Sequence, residues 1–214
     1  MVALRVNGNP TPHTAMFGAL HEISFRRAVA ADGPAVVALV QSAFRGEGSR
    51  IGWTTEADLL DGQRTDLTEV GALIADPRSC MLLAEHGGTL VGCVKLVRES
   101  DAGVIGMVSV VPALQRAGIG KTLLREAERV ILSAWGLRRA TMTVIVQRDT
   151  LIAWYERHGY RRTGITSPFP YGQPRFGLPK RGDLAFETLE KDLGGPSSAD
   201  DALPRQCHGG PNEK

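Results

Sequence analysis

The chain has 214 residues, of which 43% are hydrophobic and 22% charged, as in a globular domain with one substantial core. A formal net charge of +2 creates no field that would gather DNA or an anionic membrane, so we expect neither as a partner. No apolar run is long enough to span a bilayer, and residues 1–20 lack the continuous apolar stretch of a secretory signal.

The three cysteines indicate a reducing environment. Cys80, Cys93 and Cys207 are odd in number and lack the spacing of metal ligands. Because Cys80 and Cys93 lie in strand-like runs, we expect them to be small buried residues. The sequence therefore predicts a cytoplasmic protein without a metal site.

The first half of the chain mixes short strands with helices. After an N-terminal extension at residues 1–21, helices are predicted to end at Phe44, with Asp32 as N-cap and Pro34 in the first turn, and to span residues 54–60 and 66–74. Strands are predicted over residues 23–26, 81–84 and 89–97, the last two joined by a turn at 86–88.

The second half has a more regular pattern. Its predicted elements are, in order, a strand at 104–111, a helix from near Lys121 to Gly136, a strand at 139–146, a helix at 149–158, and strands at 161–166 and 184–190. The last two strands are separated by a long loop, residues 167–182. From residue 194 onward Gly, Pro, Ser and Asp replace apolar residues, which predicts a disordered tail over 194–214.

A glycine-containing turn, residues 115–120 (QRAGIG), joins the strand ending at Pro112 to the next helix. Its two glycines allow a tight turn and close approach of a ligand to the backbone. The amides of this turn and of the first helical residues converge at the positive end of the helix dipole. Such an arrangement suits a phosphate or pyrophosphate.

Two motifs compete for this turn. Gly120, Lys121 and Thr122 match the end of a nucleotide P-loop. However, Gln115 occupies the position of that motif's first glycine. Asp149, the candidate for the Mg²⁺-side aspartate, lies beyond the strand that should present it.

The alternative is the acyl-CoA signature Q/R-x-x-G-x-G/A, and Gln115, Gly118 and Gly120 resemble it as it occurs in GNAT N-acetyltransferases. Residues 154–160 (WYERHGY) are similar to the aromatic-Tyr-Glu-basic-x-Gly-aromatic pattern that closes the core of the same family. The resemblance covers about residues 23–193. It implies a GNAT-like α/β fold for domain 22–193, with a mixed sheet of about seven strands and helices on both faces.

The resemblance implies acetyl-CoA as cofactor. Its pyrophosphate would bind the turn and helix start, and its pantetheine arm would pair with the strand edge before Pro112, where a backbone amide can also support the oxyanion. The cofactor-binding residues implied in this way are Val108, Ser109, Val110, Gln115, Arg116, Ala117, Gly118, Ile119, Gly120 and Lys121.

The catalytic residues implied are Tyr155 and Glu56. Tyr155 matches the family's tyrosine, whose hydroxyl acts as general acid toward the departing CoA thiolate. The strand at 104–111 lacks the glutamate that many members use as base, so Glu56 is the candidate, with Asp58 behind it; a water relay is the alternative. Where the family often has an asparagine early in the helix at 149–158, this chain has Arg148, Asp149 and Thr150, a departure that affects side-chain contacts to pantetheine.

The acceptor site is expected to include Trp53, Glu56, Phe169, Tyr171 and Arg175, the last holding a carboxylate. The residues of loop 167–182 are equally suited to covering a sheet edge. The activity implied is transfer of an acetyl group to a primary amine of a small molecule or peptide in a ternary complex, and a homodimer would be common for the family. The alternative function is a non-catalytic acyl-CoA sensor on the same fold.

Overall fold

The computed structural model describes residues 23–194, so the predicted N-terminal extension, the predicted tail beyond residue 194 and Cys207 lie outside the described residues. The strands are β1 (Ile23–Arg27), β2 (Leu60–Asp61), β3 (Ser79–His86), β4 (Thr89–Arg98), β5 (Gly103–Val110), β6 (Arg139–Ile145), β7 (Arg161–Pro168), β8 (Leu178–Pro179) and β9 (Ala185–Asp192). The α-helices are α1 (Gly33–Phe44), α2 (Leu67–Ala75), α3 (Ile119–Arg129) and α4 (Asp149–Glu156).

Shorter helical turns complete these elements. Single 3₁₀ turns lie at Ala30–Asp32, Glu47–Ile51, Pro112–Leu114 and Pro174–Phe176, and α3 continues into a π-helical turn at Val130–Ala134. Across the described residues, no helix combines the length and the apolar character needed to cross a membrane.

Within residues 23–194, seven strands form one mixed sheet in the order β1-β3-β4-β5-β6-β9-β7, and β2 pairs with β8 separately. Successive side chains of β3 point to opposite faces of the sheet, and both faces are covered by helices. Cys80 and Leu82 belong to the core that also contains residues of α3 and α4, whereas Met81 and Leu83 pack with residues of α1 and α2. The predicted mixed α/β fold with helices on both faces is confirmed.

One local prediction is wrong, and another holds for the position of a residue only. Residues 54–60 contain one turn, closed by the bond from Leu60 N to Glu56 O, and no helix. Side chains bind backbone amides of this segment: Gln115 Oε1 accepts from Thr54 N, and Thr55 Oγ1 accepts from Ala57 N. Asp32 is the N-cap residue of α1, as predicted, but its carboxylate accepts from Val29 N at 2.7 Å and pairs with Arg26, so it makes no side-chain cap bond into the helix.

The sheet opens between β5 and β6, the parallel pair. In the described chain these strands share only the pairs Gly103–Ala140 and Val104–Thr141. Just beyond, the register of β4 against β5 shifts, and Met107 adopts a φ of 51°, a conformation that non-glycine residues rarely take. From there β5 departs from β6, which leaves the edge of β5 around Val108 facing α4.

Candidate active site

The gap between β5 and α4 is a cavity of about 670 Å³, here called the cofactor cavity. Its walls come from β5, the glycine turn, α4 and the loop before β2. The lining residues are Trp53, Thr54, Val108, Val110, Gln115, Arg116, Gly118, Gly120, Lys121, Thr150, Leu151, Trp154, Tyr155, Arg157 and His158. The splayed strand edge and the predicted phosphate turn therefore face one space.

The glycine turn has the conformation that an anion cradle needs. Gly118 is the N-cap of α3 with a φ of 88°, and Arg116 also has a positive φ, 74°. A Cβ at Gly118 would meet no atom within 4 Å, so this position needs glycine for its backbone conformation rather than for space. The first amides of α3 have no partner within the helix, and Gly118, Gly120 and Lys121 line the cavity. These features fit the pyrophosphate of acetyl-CoA.

The P-loop alternative fits this geometry less well. Thr122 Oγ1, which would have to bind Mg²⁺, donates to Gly118 O at 3.2 Å within its own helix. Gln115, where a P-loop has its first glycine, is part-buried, and its amide is fully committed to protein partners.

Gln115 joins the glycine turn to the loop before β2. Its Oε1 accepts from Trp53 N at 2.8 Å and from Thr54 N at 3.2 Å, and its Nε2 donates to Thr54 Oγ1 at 2.8 Å and to Val110 O at 3.1 Å. A Cβ at Gly52 would lie 2.5 Å from Gln115 Oε1, so Gly52 is required for this contact, a role that no sequence motif indicates. Gln115, which was predicted to bind the cofactor, lines the cofactor cavity, and its side chain joins two of the cavity's walls.

Other predicted cofactor residues differ in what they present. Val108 and Val110 line the cavity, whereas Ser109 points to the other face of β5, where its Oγ donates to Met107 O at 3.0 Å. Ile119 is buried in the core. Ser109 and Ile119 can therefore contribute only backbone groups.

An aromatic cluster forms one side of the cofactor cavity. The ring centroids of Trp53 and Trp154 are 5.9 Å apart, and those of Trp154 and His158 are 4.1 Å apart. His158 Nδ1 donates to Trp154 O at 2.8 Å, which fixes the ring near the end of α4. Trp53 was predicted to contact the acceptor, but the structure places it on the cofactor side.

A second cavity, of about 290 Å³, is lined by residues of both β5 and β6 and is here called the acceptor cavity. It shares Thr54, Val108, Leu151 and Tyr155 with the cofactor cavity. Its further lining residues are Phe44, Arg45, Glu56, Leu60, Arg64, Glu69, Lys95, Ile105, Gly106, Met107, Met142, Thr143, Val144, Ile145, Arg148, Phe169, Arg175, Phe176 and Phe186.

Of the residues predicted in loop 167–182, two line the acceptor cavity. Phe169 is buried in its wall and Arg175 stands at its edge over the ring of Phe176, 4.5 Å from the ring centroid. Tyr171 is 41% exposed and has a different role. Its hydroxyl accepts from Leu184 N at 2.6 Å and donates to Arg181 O at 3.1 Å, so it holds the loop in shape.

Tyr155 is buried where the two cavities meet. Burial raises the pKa of its hydroxyl to about 12, with a lowering contribution from Arg148 and a raising one from Glu56. The phenol therefore keeps its proton throughout the neutral and moderately alkaline range.

Glu56 lies in a buried ion network below Tyr155. Its carboxylate pairs with Arg45 and, at 2.8 Å, with Arg148 Nη1, while Arg148 Nη2 donates to Thr54 O at 2.5 Å. Burial by itself raises the pKa of Glu56, but the charges of Arg148, Arg64 and Arg45 outweigh it, and the pKa lies below its usual range. This environment counts against Glu56 as a general base, because a stabilised carboxylate is a weak proton acceptor.

The other candidate acid is placed elsewhere. Asp58 is exposed and pairs with Arg50 at 2.8 Å, outside the lining of either cavity. Arg148, noted in the sequence only as a departure, is the residue that connects α4 with Glu56. Arg45, Arg64 and Lys95 also line the acceptor cavity, and no motif in the sequence pointed to them.

Comparison with known proteins agrees with this architecture. Residues 35–160 match the model of a family described as Acetyltransferase (GNAT) family. A protein named IAA acetyltransferase, from Azospirillum brasilense, is 31% identical over 118 residues, or 54% of this chain and 74% of that protein.

Solved structures resemble the chain in fold. The ribosomal-protein-alanine N-acetyltransferase from Brucella melitensis aligns with a TM-score of 0.59 at 20% identity, over 79% of this chain and 99% of that one. Mutant forms of the spermidine/spermine N-acetyltransferase from Vibrio cholerae align with a TM-score of 0.57 at 13% identity, over 80% and 95%. At these identities the likeness supports the fold alone.

Proposed function

Because the chain belongs to the GNAT acetyltransferase family, we propose that it transfers an acetyl group from acetyl-CoA to a primary amine, by direct attack in a ternary complex. The observation that carries the proposal is the wall shared by the two cavities, formed in part by Val108 and Tyr155. A thioester bound on one side of this wall and an amine bound on the other can meet without a covalent enzyme intermediate.

The cofactor supplies an activated acetyl group as its thioester. The turn around Gly118 and the start of α3 would hold its pyrophosphate, and the free edge of β5 at Val108 and Val110 would pair with the amides of its pantetheine arm. A backbone amide at this edge would also stabilise negative charge on the thioester carbonyl oxygen.

In the reaction, the amine nitrogen bonds to the carbonyl carbon, the carbon–sulfur bond breaks, the amine loses a proton, and the sulfur leaves as a thiolate that later takes a proton from solvent. Tyr155 is the proposed partner of that sulfur. Since a thiol has a pKa of ~8.5 and that of Tyr155 is about 12, the phenol binds the thiolate as a hydrogen-bond donor more readily than it surrenders its proton. Water is the proposed acceptor of the amine proton, because the carboxylate of Glu56 is held by two arginines.

Two further expectations belong to this proposal. Cys80 and Cys93 are buried free thiols, which suits a reducing cytoplasm. A homodimer remains a prediction from the family.

Acetyl-CoA at about 100 times its Kd should stabilise the protein by about 2.7 kcal/mol, or roughly 5–11 °C in Tm. ATP with Mg²⁺ should not; a shift with ATP alone would instead support the P-loop assignment. Release of free CoA thiol should then be followed across a panel of amines, amino acids and peptides. An acetyl-CoA shift without turnover on any of them would favour the alternative, a non-catalytic acyl-CoA sensor.

A further inference from the structure

The acceptor cavity is strongly positive for its size. Among the described residues that line it, cationic side chains outnumber carboxylates by five to two. The cations are Arg45, Arg64, Lys95, Arg148 and Arg175, and the carboxylates are Glu56 and Glu69. In a partly enclosed space such an excess attracts anions and repels cations.

The carboxylates do not neutralise this charge. Glu56 is shared by two arginines, and Glu69 accepts from Thr65 Oγ1 at 2.8 Å. In the part of the chain that the structure describes, no ion pair includes Arg64, Lys95 or Arg175. The guanidinium groups of Arg64 and Arg175 lie over aromatic rings instead. That of Arg64 is 5.5 Å from the ring centroid of Phe44. Ring contacts of this kind orient a guanidinium but leave its N–H groups available.

The guanidinium of Arg45 has unfilled hydrogen-bonding capacity at this cavity. Arg45 is buried, yet its Nε and Nη2 have no hydrogen-bond partner among the described residues. A Cβ at Gly177 would lie only 3.1 Å from Nη2, so this glycine gives the guanidinium its space. Buried donors without partners are rare and costly in folded proteins, and oxygen atoms of a ligand would satisfy them.

Lys95 reaches the cavity because Gly106, on the neighbouring strand β5, has no side chain. A Cβ at Gly106 on β5 would lie 3.0 Å from Lys95 Cε and 3.8 Å from its Nζ, so the lysine lies across the glycine. Burial lowers the pKa of Lys95, with Glu69 raising it and Arg64 lowering it. An anion beside the ammonium group would relieve this penalty.

We propose that the acceptor is an amine that also carries a carboxylate, of the size of an amino acid, and that Arg64, Lys95 and Arg175 form the carboxylate-binding site. The apolar side chains of the cavity, among them Leu60, Phe169 and Phe176, would contact the rest of the acceptor. This inference rests on the proposed acetyl transfer and deepens it, since it predicts that polyamines are poor acceptors.

The test compares pairs of amines that differ by a carboxylate. L-phenylalanine is paired with 2-phenylethylamine, and L-leucine with 3-methylbutylamine, with spermidine as a polycation. Binding is measured by calorimetry in the presence of CoA, and kcat/KM by thiol release with acetyl-CoA. We expect each amino acid to bind and react at least about ten-fold better than its partner, because one charge-assisted contact suffices for that factor.

Variants locate the carboxylate. Lys95→Met and Arg175→Gln should each raise KM for the amino acids about ten-fold or more and leave KM for the decarboxylated amines nearly unchanged. Arg181→Gln is the matched control, since Arg181 lies in the same loop as Arg175 but pairs with Asp183. Arg175 is exposed, so its replacement should not unfold the protein, and the acetyl-CoA shift in Tm confirms that each variant is folded.

The outcomes separate the inference from the function on which it rests. Equal or stronger binding of the decarboxylated amines or spermidine, no binding of any amino acid, or a preference unchanged in Lys95→Met and Arg175→Gln would overturn the inference. Carboxylate-dependent binding without turnover would support the site and overturn acetyl transfer.

Discussion

Replacing Glu56 by glutamine removes the one negative charge that two buried arginines share. The exposed fractions of the side chains are 7% for Glu56, 2% for Arg45 and 9% for Arg148. Losing one partner of a buried ion pair costs about 3–5 kcal/mol, because the remaining charges stay desolvated. At roughly 2–4 °C per kcal/mol for a domain of this size, Tm should fall by roughly 6–20 °C.

Thermal unfolding with and without acetyl-CoA measures this effect. The matched control is Glu47→Gln, because the side chain of Glu47 is 85% exposed and its pair with Arg50 spans one helical turn. Such a surface pair contributes at most about 1 kcal/mol. The pKa of Glu56 is lowered in the folded protein, so its stabilisation is present above the unfolded pKa of ~4.3 and is lost as pH falls through the lower folded value. The difference between wild type and Glu56→Gln should therefore shrink in acid.

The same variant tests the role of Glu56 in catalysis. If the carboxylate positions the arginines, folded Glu56→Gln should keep the wild-type dependence of kcat on pH. A Tm equal to that of Glu47→Gln, together with a loss of kcat of about a thousand-fold or more, would refute the structural role and restore Glu56 as general base.

Three more substitutions test the cofactor side. Tyr155→Phe should lower kcat by about ten- to a hundred-fold with little change in KM for acetyl-CoA. The control is Tyr160→Phe, which removes a hydroxyl bound to Glu128 and should change Tm but not kcat. Equal kcat values in the two variants would make Tyr155 a packing residue. Gly118→Glu should abolish the acetyl-CoA shift in Tm, while Gly164→Glu, at a similar φ of 75° with no atom within 4 Å, should retain it; a retained shift in both would place the pyrophosphate elsewhere. Gln115→Glu keeps two accepted bonds but loses two donated ones, so it should destabilise by about 1–3 kcal/mol and raise both KM values; unchanged KM values would show that the joined loop is dispensable.

The elements that follow from local sequence were predictable. The strand before Pro112, the helix beginning at the glycine turn and the helix predicted over 149–158 all depend on residues close in the chain, and the structure has them within a few positions. The family resemblance depended on two such local motifs, at residues 115–120 and 154–160, and the family is confirmed.

The acceptor side was less predictable because long-range side-chain contacts shape it. Residues 53–56 take their conformation from bonds to distant residues. Trp53 N donates to Gln115, 62 positions along the chain, and Glu56 accepts from Arg148, 92 positions along the chain. Because of these contacts, the helix predicted over residues 54–60 does not form. Lys95 had no local signature, because its placement depends on Gly106 in the neighbouring strand.

The opening between β5 and β6 has a mechanical consequence. Only two residue pairs join the half of the sheet made of β1, β3, β4 and β5 to the half made of β6, β9 and β7 within residues 23–194. A pantetheine arm hydrogen-bonded to Val108 and Val110 would act as a partial extra strand and brace one half against the other. Amide hydrogen exchange along this edge should therefore slow when acetyl-CoA binds, and the two half-sheets should move less independently in the complex than in the free protein.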